Sequence, residues 1–443
     1  MGLQACLEEL RRQATWERPQ RLNSLVAARW VRQALEQTGA QSIRRRKLPS
    51  EAVVWLVIGM ALFRDNSIDA VVKHLGLSRS RGAAVGSASG ASVSSAGVAR
   101  ARTRVGAEPL HELFELSSKG WQREHAEQNQ WRGLSLLAID GTTLRVADSQ
   151  ANEESFGRAG SSRSKSAYPQ MRLVALLAVG SRVLVDFRAG SYSEGEQSLA
   201  RPMIETVPDR SLLILDRGFV NYPMFAQIAH HGSERHFLCR AKKNLGGKTL
   251  RTLGENDWLI EIAMPAARRR EDPTLPETIV VRMIEYCVDG FRPSRLMTSL
   301  VDAENIPASE IVDLYHKRWE IEVAYDEIKT HTLGRHETLR SRSPKLVWQE
   351  VYGLAIAYNL LRVMMARAAM QTGVEPARIS YRNSLLEVRN FFLIAAAVAP
   401  GTLPALYRKL CDTMTHLVLP ARRSRRYPRA VKTKMSNYKR KDF

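Results

Sequence analysis

Twice in this chain an apolar run ends on an aspartate. Leu134–Ile139 (LSLLAI) leads into Asp140-Gly141, and Ser211–Leu215 (SLLIL) leads into Asp216-Arg217-Gly218. Short apolar runs bounded by turn-forming residues read as buried strands. Placed side by side, two such strands bring both carboxylates to one edge of a sheet, where open α/β sheets keep their active sites. A single aspartate at a strand end usually does no more than cap a turn, so the pair gains meaning only with a third element.

The segments between the two runs give the order of the fold. Met171–Val179 and Arg182–Phe187 are strand-like and joined by a Gly-Ser turn, and Glu194–Thr206 is helical. Asn221–His230 reads as a crossover helix and Glu234–Arg240 as the next strand. Three antiparallel strands followed by strand–helix–strand is the order of an α/β, ribonuclease-H-like core. Gly-rich, Pro-rich and charged stretches with short strands such as Thr278–Tyr286 then predict a β-rich insert. From Pro307 the pattern returns to helix, with a long helix over Lys345–Met370. Upstream, Ala28–Gln37, Ser50–Arg64, Ile68–Leu75 and Val98–Leu116 have helical spacing, and Gly82–Gly97 is a low-complexity loop. The expected organisation is a helical N-terminal DNA-binding region over 1–130 and a catalytic core over 131–242 and 298–345. The insert occupies 243–297 of that core, a helical C-terminal region spans 346–421, and a basic tail covers 422–443.

Charge points to the partner. The 443 residues carry a net charge of +21, too large a surplus to ignore in a chain this long, and it is attractive to polyanions, nucleic acid first. It is unevenly placed: +8 lies in residues 1–133 and +9 in 422–443, leaving +4 for everything between. Four scattered cysteines without Cys-x2-Cys or Cys/His spacing argue against a zinc site and a disulfide framework, and so for a reducing cytoplasm. The first ten residues hold no apolar signal-peptide core. The longest apolar run, Ala52–Phe63, falls short of the roughly 20 residues that span a bilayer. A soluble protein without a membrane partner is expected.

The third element lies in Ser309–Thr332, SEIVDLYHKRWEIEVAYDEIKTHT, free of Gly and Pro. At about 100° per residue Tyr315, Arg318, Glu322 and Lys329 fall within about 60° of one helix face. Such a stripe can be a salt-bridged surface, yet Glu320, Asp326 and Glu327 already offer i,i+4 pairs elsewhere on the helix. A carboxylate framed by two cations suits a site that holds metal and phosphate together.

Tyr-x2-Arg-x3-Glu-x6-Lys, here Tyr315, Arg318, Glu322 and Lys329, resembles the YREK signature of bacterial DDE transposases of the insertion-sequence-four family, complete in residue type and spacing. Asp140 in IDGTTL and Asp216 in LDRGF resemble that family's two catalytic aspartates, and the 106 residues from Asp216 to Glu322 leave room for the family's β-rich insert. The resemblance is strong over about 134–340 and less specific in the N-terminal helices. It implies a catalytic and metal-binding trio of Asp140, Asp216 and Glu322 with two Mg2+ ions, Mn2+ being a possible substitute. Tyr315, Arg318 and Lys329 would contact phosphate. It also implies cleavage at transposon inverted-repeat ends and cut-and-paste strand transfer through a hairpin intermediate. The partners would be double-stranded DNA and a second protomer, as a homodimer in a synaptic complex, in a bacterial, nucleoid-associated setting. One departure is visible. Hairpin-forming relatives carry a tryptophan just before the Leu-x-Thr segment. Here Ser294-Arg295-Leu296-Met297-Thr298 has no aromatic immediately before it, and Phe291, Tyr286 and Trp258 are the substitutes to consider.

Further DNA-contact candidates are Arg217, Arg100, Arg102, Arg104, the Ser161–Ser166 loop with Arg163 and Lys165, and Arg425, Arg426, Arg429 and Lys432 of the tail. Asp148 and Asp209 read as loop carboxylates, His331 and His336 as surface residues, and Trp319 as core. Phe391–Ala399 fits a buried helix or a protomer contact. Two other readings use the same residues: a ribonuclease-H-like DNA endonuclease without strand transfer, and a catalytically silent DNA-binding transposition regulator.

Overall fold

The computed structural model describes residues 28–42, 48–75, 77, 93–161, 164–230, 232–242, 245–288, 292–334, 338–395, 398 and 400–420. Arg163, Phe291, His336 and the tail residues Arg425, Arg426, Arg429 and Lys432 lie outside the described residues. The N-terminal part is helical: α1 (Ala28–Gln37), α2 (Ser50–Leu62), α3 (Ile68–His74), α4 (Ser95–Val105) and α5 (Glu108–Glu124). The single helix expected over Val98–Leu116 is two. Gly106 stops α4 at φ +76, and Pro109, with its fixed φ, sits at the start of α5.

The sheet follows with β1 (Gln130–Trp131), β2 (Leu134–Arg145), helix α6 (Gln150–Phe156), β3 (Arg158–Ser161), β4 (Ser164–Ala178) and β5 (Val183–Ser191). Next come α7 (Glu196–Ala200), β6 (Ser211–Leu215), α8 (Tyr222–His230) and β7 (Arg235–Arg240). Strand β4 lies antiparallel between β5 and β2, with Ala175 opposite both Phe187 and Asp140. Strands β2, β6 and β7 are parallel, with Ile139 beside Leu215 and Leu215 beside Cys239. This is the predicted order of three antiparallel strands and then a strand–helix–strand unit. The expected loop at Ser161–Ser166 is instead the end of the β3–β4 hairpin, with Ser161 paired to Ser164.

The insert holds β8 (Lys248–Gly254), β9 (Asp257–Ala263), the short α9 (Ala266–Glu271), β10 (Thr278–Tyr286) and β11 (Ser294–Thr298). It is β-rich as predicted, but it does not stand apart. Strand β11 pairs antiparallel with β7, Met297 opposite Cys239, and the order runs on through β10 and β9 to β8. Without it the outer edge of β7 would present unpaired backbone groups.

The chain ends in α10 (Ala308–His316), α11 (Trp319–Asp326), α12 (Pro344–Thr372), α13 (Tyr381–Ala395) and α14 (Leu403–Thr415). Helix α12 is the internal post: it is apolar on most sides, and α2 crosses it where a Cβ on Gly353 would come within 2.6 Å of Val57 Cγ1. In α2 itself, Glu51 is the one residue of thirteen that escapes burial. Buried polar contacts fasten the same crossing, with Arg64 donating to Glu350 at 3.0 Å. The N-terminal helices are therefore built into the body of the protein. Of Phe391–Ala399, Phe391, Phe392 and Ala395 are buried and Leu393 and Ile394 exposed.

The two-residue period of β2 sends Leu137 and Ile139 to one core, and Leu136 and Ala138 to the other. Strand β6 alternates likewise, with Leu213 and Leu215 in the first core and Leu212 and Ile214 in the second. Continued one residue past each run, the alternation puts Asp140 and Asp216 on the face that carries α10, α11 and α12.

Candidate active site

Asp140 and Asp216 stand beside each other because their strands are parallel neighbours in register. Asp216 caps the short turn after β6, its Oδ1 accepting from the Gly218 N–H at 2.5 Å. Asp140 Oδ1 accepts from the Gly141 N–H at 2.8 Å. The helix pair α10–α11 lies over this edge. Arg318, between the two helices, donates from Nη1 to Asp140 Oδ2 at 3.3 Å and from Nη2 to Glu322 Oε1 at 2.6 Å. One guanidinium thus bridges the carboxylate of the strand and the carboxylate of the helix.

The span from Ser309 to Thr332 is not the single uniform helix that the 100° arithmetic assumed. Around residues 317–321 the backbone tightens to i→i−3 bonds, as in Arg318 N–H to Tyr315 C=O at 3.1 Å. From Glu327 to Thr332 it loosens into a π-turn. Overwinding followed by underwinding leaves Arg318, Glu322 and Lys329 facing the strands, and Lys329 Nζ donates to Thr142 Oγ1 at 3.1 Å. Tyr315 is buried, which pushes its phenol pKa up, and the Arg318 guanidinium and Tyr286 are among its electrostatic neighbours. The phenol is a hydrogen-bond donor at any working pH.

Burial is the largest influence on Asp140 and raises its pKa from 3.8 to about 6, helped by the charges of Asp216 and Glu322 and opposed by the Gly141 N–H and Arg318. Three acids crowd their charge here, and Arg318 bridges two of them. The donors are all carboxylate oxygens, the set preferred by hard divalent cations such as Mg2+. A cation would offset both the burial and the repulsion that raise Asp140. Among the described residues no group of three or more His, Cys, Asp or Glu side chains is placed to hold a metal ion as it stands.

Residues that sequence reasoning missed surround this centre. The Tyr325 hydroxyl donates to the main-chain oxygen of Asp140 at 2.6 Å, tying α11 to β2. The same 100° step puts Tyr325 at 280°, next to Arg318 at 300°, so its signal was present. Glu196 lies against Gly141, where a Cβ would come within 2.4 Å of its Cδ, and Arg172 holds it at 2.8 Å. That contact explains a glycine directly after Asp140, and nothing in the local sequence announces it.

Other expectations divide. Arg100 and Arg217 are exposed. Arg102 is not a surface residue: it is 4% exposed, with Nε on Gln349 Oε1 at 2.8 Å and Nη2 on Ser341 Oγ at 3.1 Å. Arg104 donates to the Leu48 carbonyl at 2.8 Å. Trp319, expected in the core, is 40% exposed and lies beside the Arg318 guanidinium. Glu320 and Glu327, expected to form surface pairs along the helix, both turn inward to Arg182. His331 lies 3.9 Å from Asp326. Asp148 and Asp209 pair with Arg158 and Arg235. Of the aromatics considered for the missing tryptophan, Trp258 sits opposite Met283 in the outer sheet, whereas Tyr286 neighbours Tyr315 and meets His316 edge-on at 6.2 Å.

The chain is similar to known proteins. Residues 131–360 match the family described as Transposase DDE domain, and residues 16–115 the family described as Insertion element 4 transposase N-terminal. The chain is 31% identical over 409 residues to the transposase InsG for insertion sequence element IS4 of Escherichia coli (strain K12), covering 92% of this chain and 90% of that one. It is 33% identical over 222 residues to the putative transposase InsZ of the same organism, covering 50% of this chain and 71% of that one. A solved piggyBac transposase synaptic complex with hairpin DNA is a distant likeness, at TM-score 0.43 and 11% identity over 94% of this chain and 84% of that one. The carboxylate edge thus lies within a DDE nuclease and strand-transferase domain. The chain belongs to the insertion element 4 family of DDE transposases. Among the described residues no helix is long and apolar enough to cross a membrane.

Proposed function

We propose that this protein is a cut-and-paste transposase with a ribonuclease-H-like core. It would cleave DNA at inverted-repeat ends and join the freed 3′ ends to target DNA. The observation that carries the reading is the single edge where Asp140 and Asp216 meet a helix whose Arg318 reaches both Asp140 and Glu322. Asp140, Asp216 and Glu322 would hold the two Mg2+ ions. Such ions would supply activation of a water or 3′-hydroxyl and charge stabilisation of the leaving 3′ oxygen.

The side chains have separate tasks. Arg318 leaves its carboxylates for a DNA phosphate, which its planar fork can grip with two hydrogen bonds. Lys329 adds a second cation from the next turn, and Tyr315 donates its phenolic proton to a phosphate oxygen. Arg217 and Arg100 are exposed and free to meet the backbone of the duplex. The second strand is cut through a hairpin, with Tyr286, which neighbours Tyr315 whereas Trp258 lies in the outer sheet, as the substitute for the missing tryptophan. Two protomers pair the transposon ends.

The test is a product assay. A duplex made from the DNA flanking the gene and a supercoiled target plasmid are incubated with the protein and Mg2+. Joined products are expected, and Glu322→Gln or Asp216→Asn should abolish both cleavage and joining while duplex binding persists. Hydrolysis without joining would sink the transposase reading in favour of a nuclease. Binding with no cleavage would leave a silent regulator.

A further inference from the structure

Arg182 closes the tight turn between β4 and β5, far along the chain from the YREK residues, and its backbone is left-handed at φ +57. That conformation strains a residue with a Cβ and is ordinarily left to Gly, Asn or Asp. Arg182 is nevertheless kept there, 2% exposed, and its side chain explains why. Its Nε donates to Glu320 Oε2 at 2.5 Å and its Nη1 to Glu327 Oε1 at 2.6 Å. Glu320 and Glu327 lie on either side of Glu322, and Glu327 is the first residue of the π-turn, within which Lys329 faces Thr142.

The grip is completed from α12. Arg362, fully buried, approaches Glu327 Oε1 at 3.5 Å, and its Nε donates to the Ser181 carbonyl at 2.9 Å, next to Arg182 in the turn. The Tyr358 hydroxyl donates to Glu327 Oε2 at 3.0 Å. Both oxygens of Glu327 are therefore occupied. Two guanidinium groups face two carboxylates, so the cluster is electrically balanced. At the far end of the π-turn Thr332 Oγ1 meets the Tyr381 hydroxyl at 2.6 Å. None of these residues touches the carboxylate edge. Together they fix the turn on the opposite flank of the helix from Arg318 and Glu322. A π-turn costs good hydrogen-bond geometry and recurs at functional positions; here the buried acid at its start has a partner that dictates where it forms.

We propose that Arg182, through Glu320 and Glu327, is a positioning residue for the transposition reaction: it locks the overwound and π-turn segments so that Glu322 and Lys329 face the two aspartates together. This rests on the transposase reading above. A Gly or Asn there would close the same hairpin without the backbone strain, so the strained position is explained by the two carboxylates that the Arg182 side chain reaches.

The experiment uses the full chain. Arg182→Met combined with Glu327→Gln removes one charge of each sign, so the cluster stays neutral overall, with Glu320 and Arg362 left as its remaining opposite charges. Circular dichroism and the urea midpoint confirm a folded variant before anything else is read. Two measurements follow: hydrogen exchange of amides 328–333, without metal or DNA, and single-turnover cleavage of the flanking-DNA duplex beside its affinity in chelator. The proposal expects faster exchange confined to 328–333 and a cleavage rate lowered about tenfold or more, with duplex affinity unchanged. Arg182→Lys with Glu327 intact should recover part of the rate. Wild-type exchange and a wild-type cleavage rate in the folded double variant would overturn it. So would a loss that appears only as weaker DNA binding. If the unaltered protein neither cleaves nor joins DNA, the transposase reading fails, while the exchange measurement still decides whether Arg182 holds the turn.

Discussion

Replacing Asp140 with Asn should destroy the chemistry and at the same time stabilise the protein in the absence of divalent metal. Burial and the neighbouring acids raise the Asp140 pKa from 3.8 to about 6. At about 1.4 kcal/mol per unit, that displacement of roughly two units makes the ionised carboxylate cost the folded state about 3 kcal/mol at pH 7.5. Asn keeps an oxygen to accept from Gly141 and carries no charge to desolvate, but it gives up the 3.3 Å contact with Arg318. The pull of Arg318 is already contained in that pKa, so a net gain of about 2–3 kcal/mol at pH 7.5 is expected. The sign follows from proton counting. Between about pH 4 and pH 6 the folded wild type holds a proton that the unfolded chain has released, so its stability falls as pH rises through that window. Asn does not titrate. The gap between variant and wild type should be near zero at pH 4, open towards pH 6 and stay constant above it. Urea unfolding in chelator at pH 4 and pH 7.5 measures this through the midpoint at equal m-value. An Asn variant no more stable than wild type at pH 7.5, or a gap equal at both pH values, would refute the electrostatic account of the edge.

Two further outcomes separate DNA contacts from internal ones. Deleting residues 422–443 should flatten the salt dependence of duplex binding, since each neutralised phosphate adds about −0.9 to the slope of log K against log salt; an unaltered slope means the tail does not touch DNA. Arg100→Ala should lower that slope by about one phosphate and leave stability unchanged. Arg102→Ala should leave the slope alone and cost about 2–4 kcal/mol by stripping Gln349 and Ser341 of a buried partner; the reverse pattern would exchange the roles of the two arginines.

The core was legible where a local pattern is tied to a global consequence. The runs ending at Asp140 and Asp216 are too apolar to be anything but buried, and a two-residue period leaves one choice for which face each aspartate takes. Residue type and spacing likewise marked Arg318, Glu322 and Lys329. The breaks in their helix were not legible, because Trp319 through Thr332 are all compatible with an ordinary α-helix and the partner that bends it, Arg182, sits more than a hundred residues upstream. Arg102 could have been read correctly. At about 100° per residue Arg100 and Arg104 lie 40° apart, and Arg102 lies on the far side of the helix from both. Membership of the insert in the main sheet was hidden for another reason: antiparallel pairing between β7 and β11 joins segments whose sequences say only that each is a strand.

The crossing of α2 and α12 has a consequence for how the protein comes into being. Helix α2 is complete when residue 62 leaves the ribosome, but the surface that covers it, around Gly353, is made almost three hundred residues later. At about 5–20 residues per second, translation leaves an almost wholly apolar helix waiting for roughly 15–60 s. During that interval it is a target for chaperones or a seed for aggregation, and premature termination before α12 yields a fragment in which this face of α2 stays uncovered. The helix that secures the finished fold is thus the part most exposed while the chain is still being made.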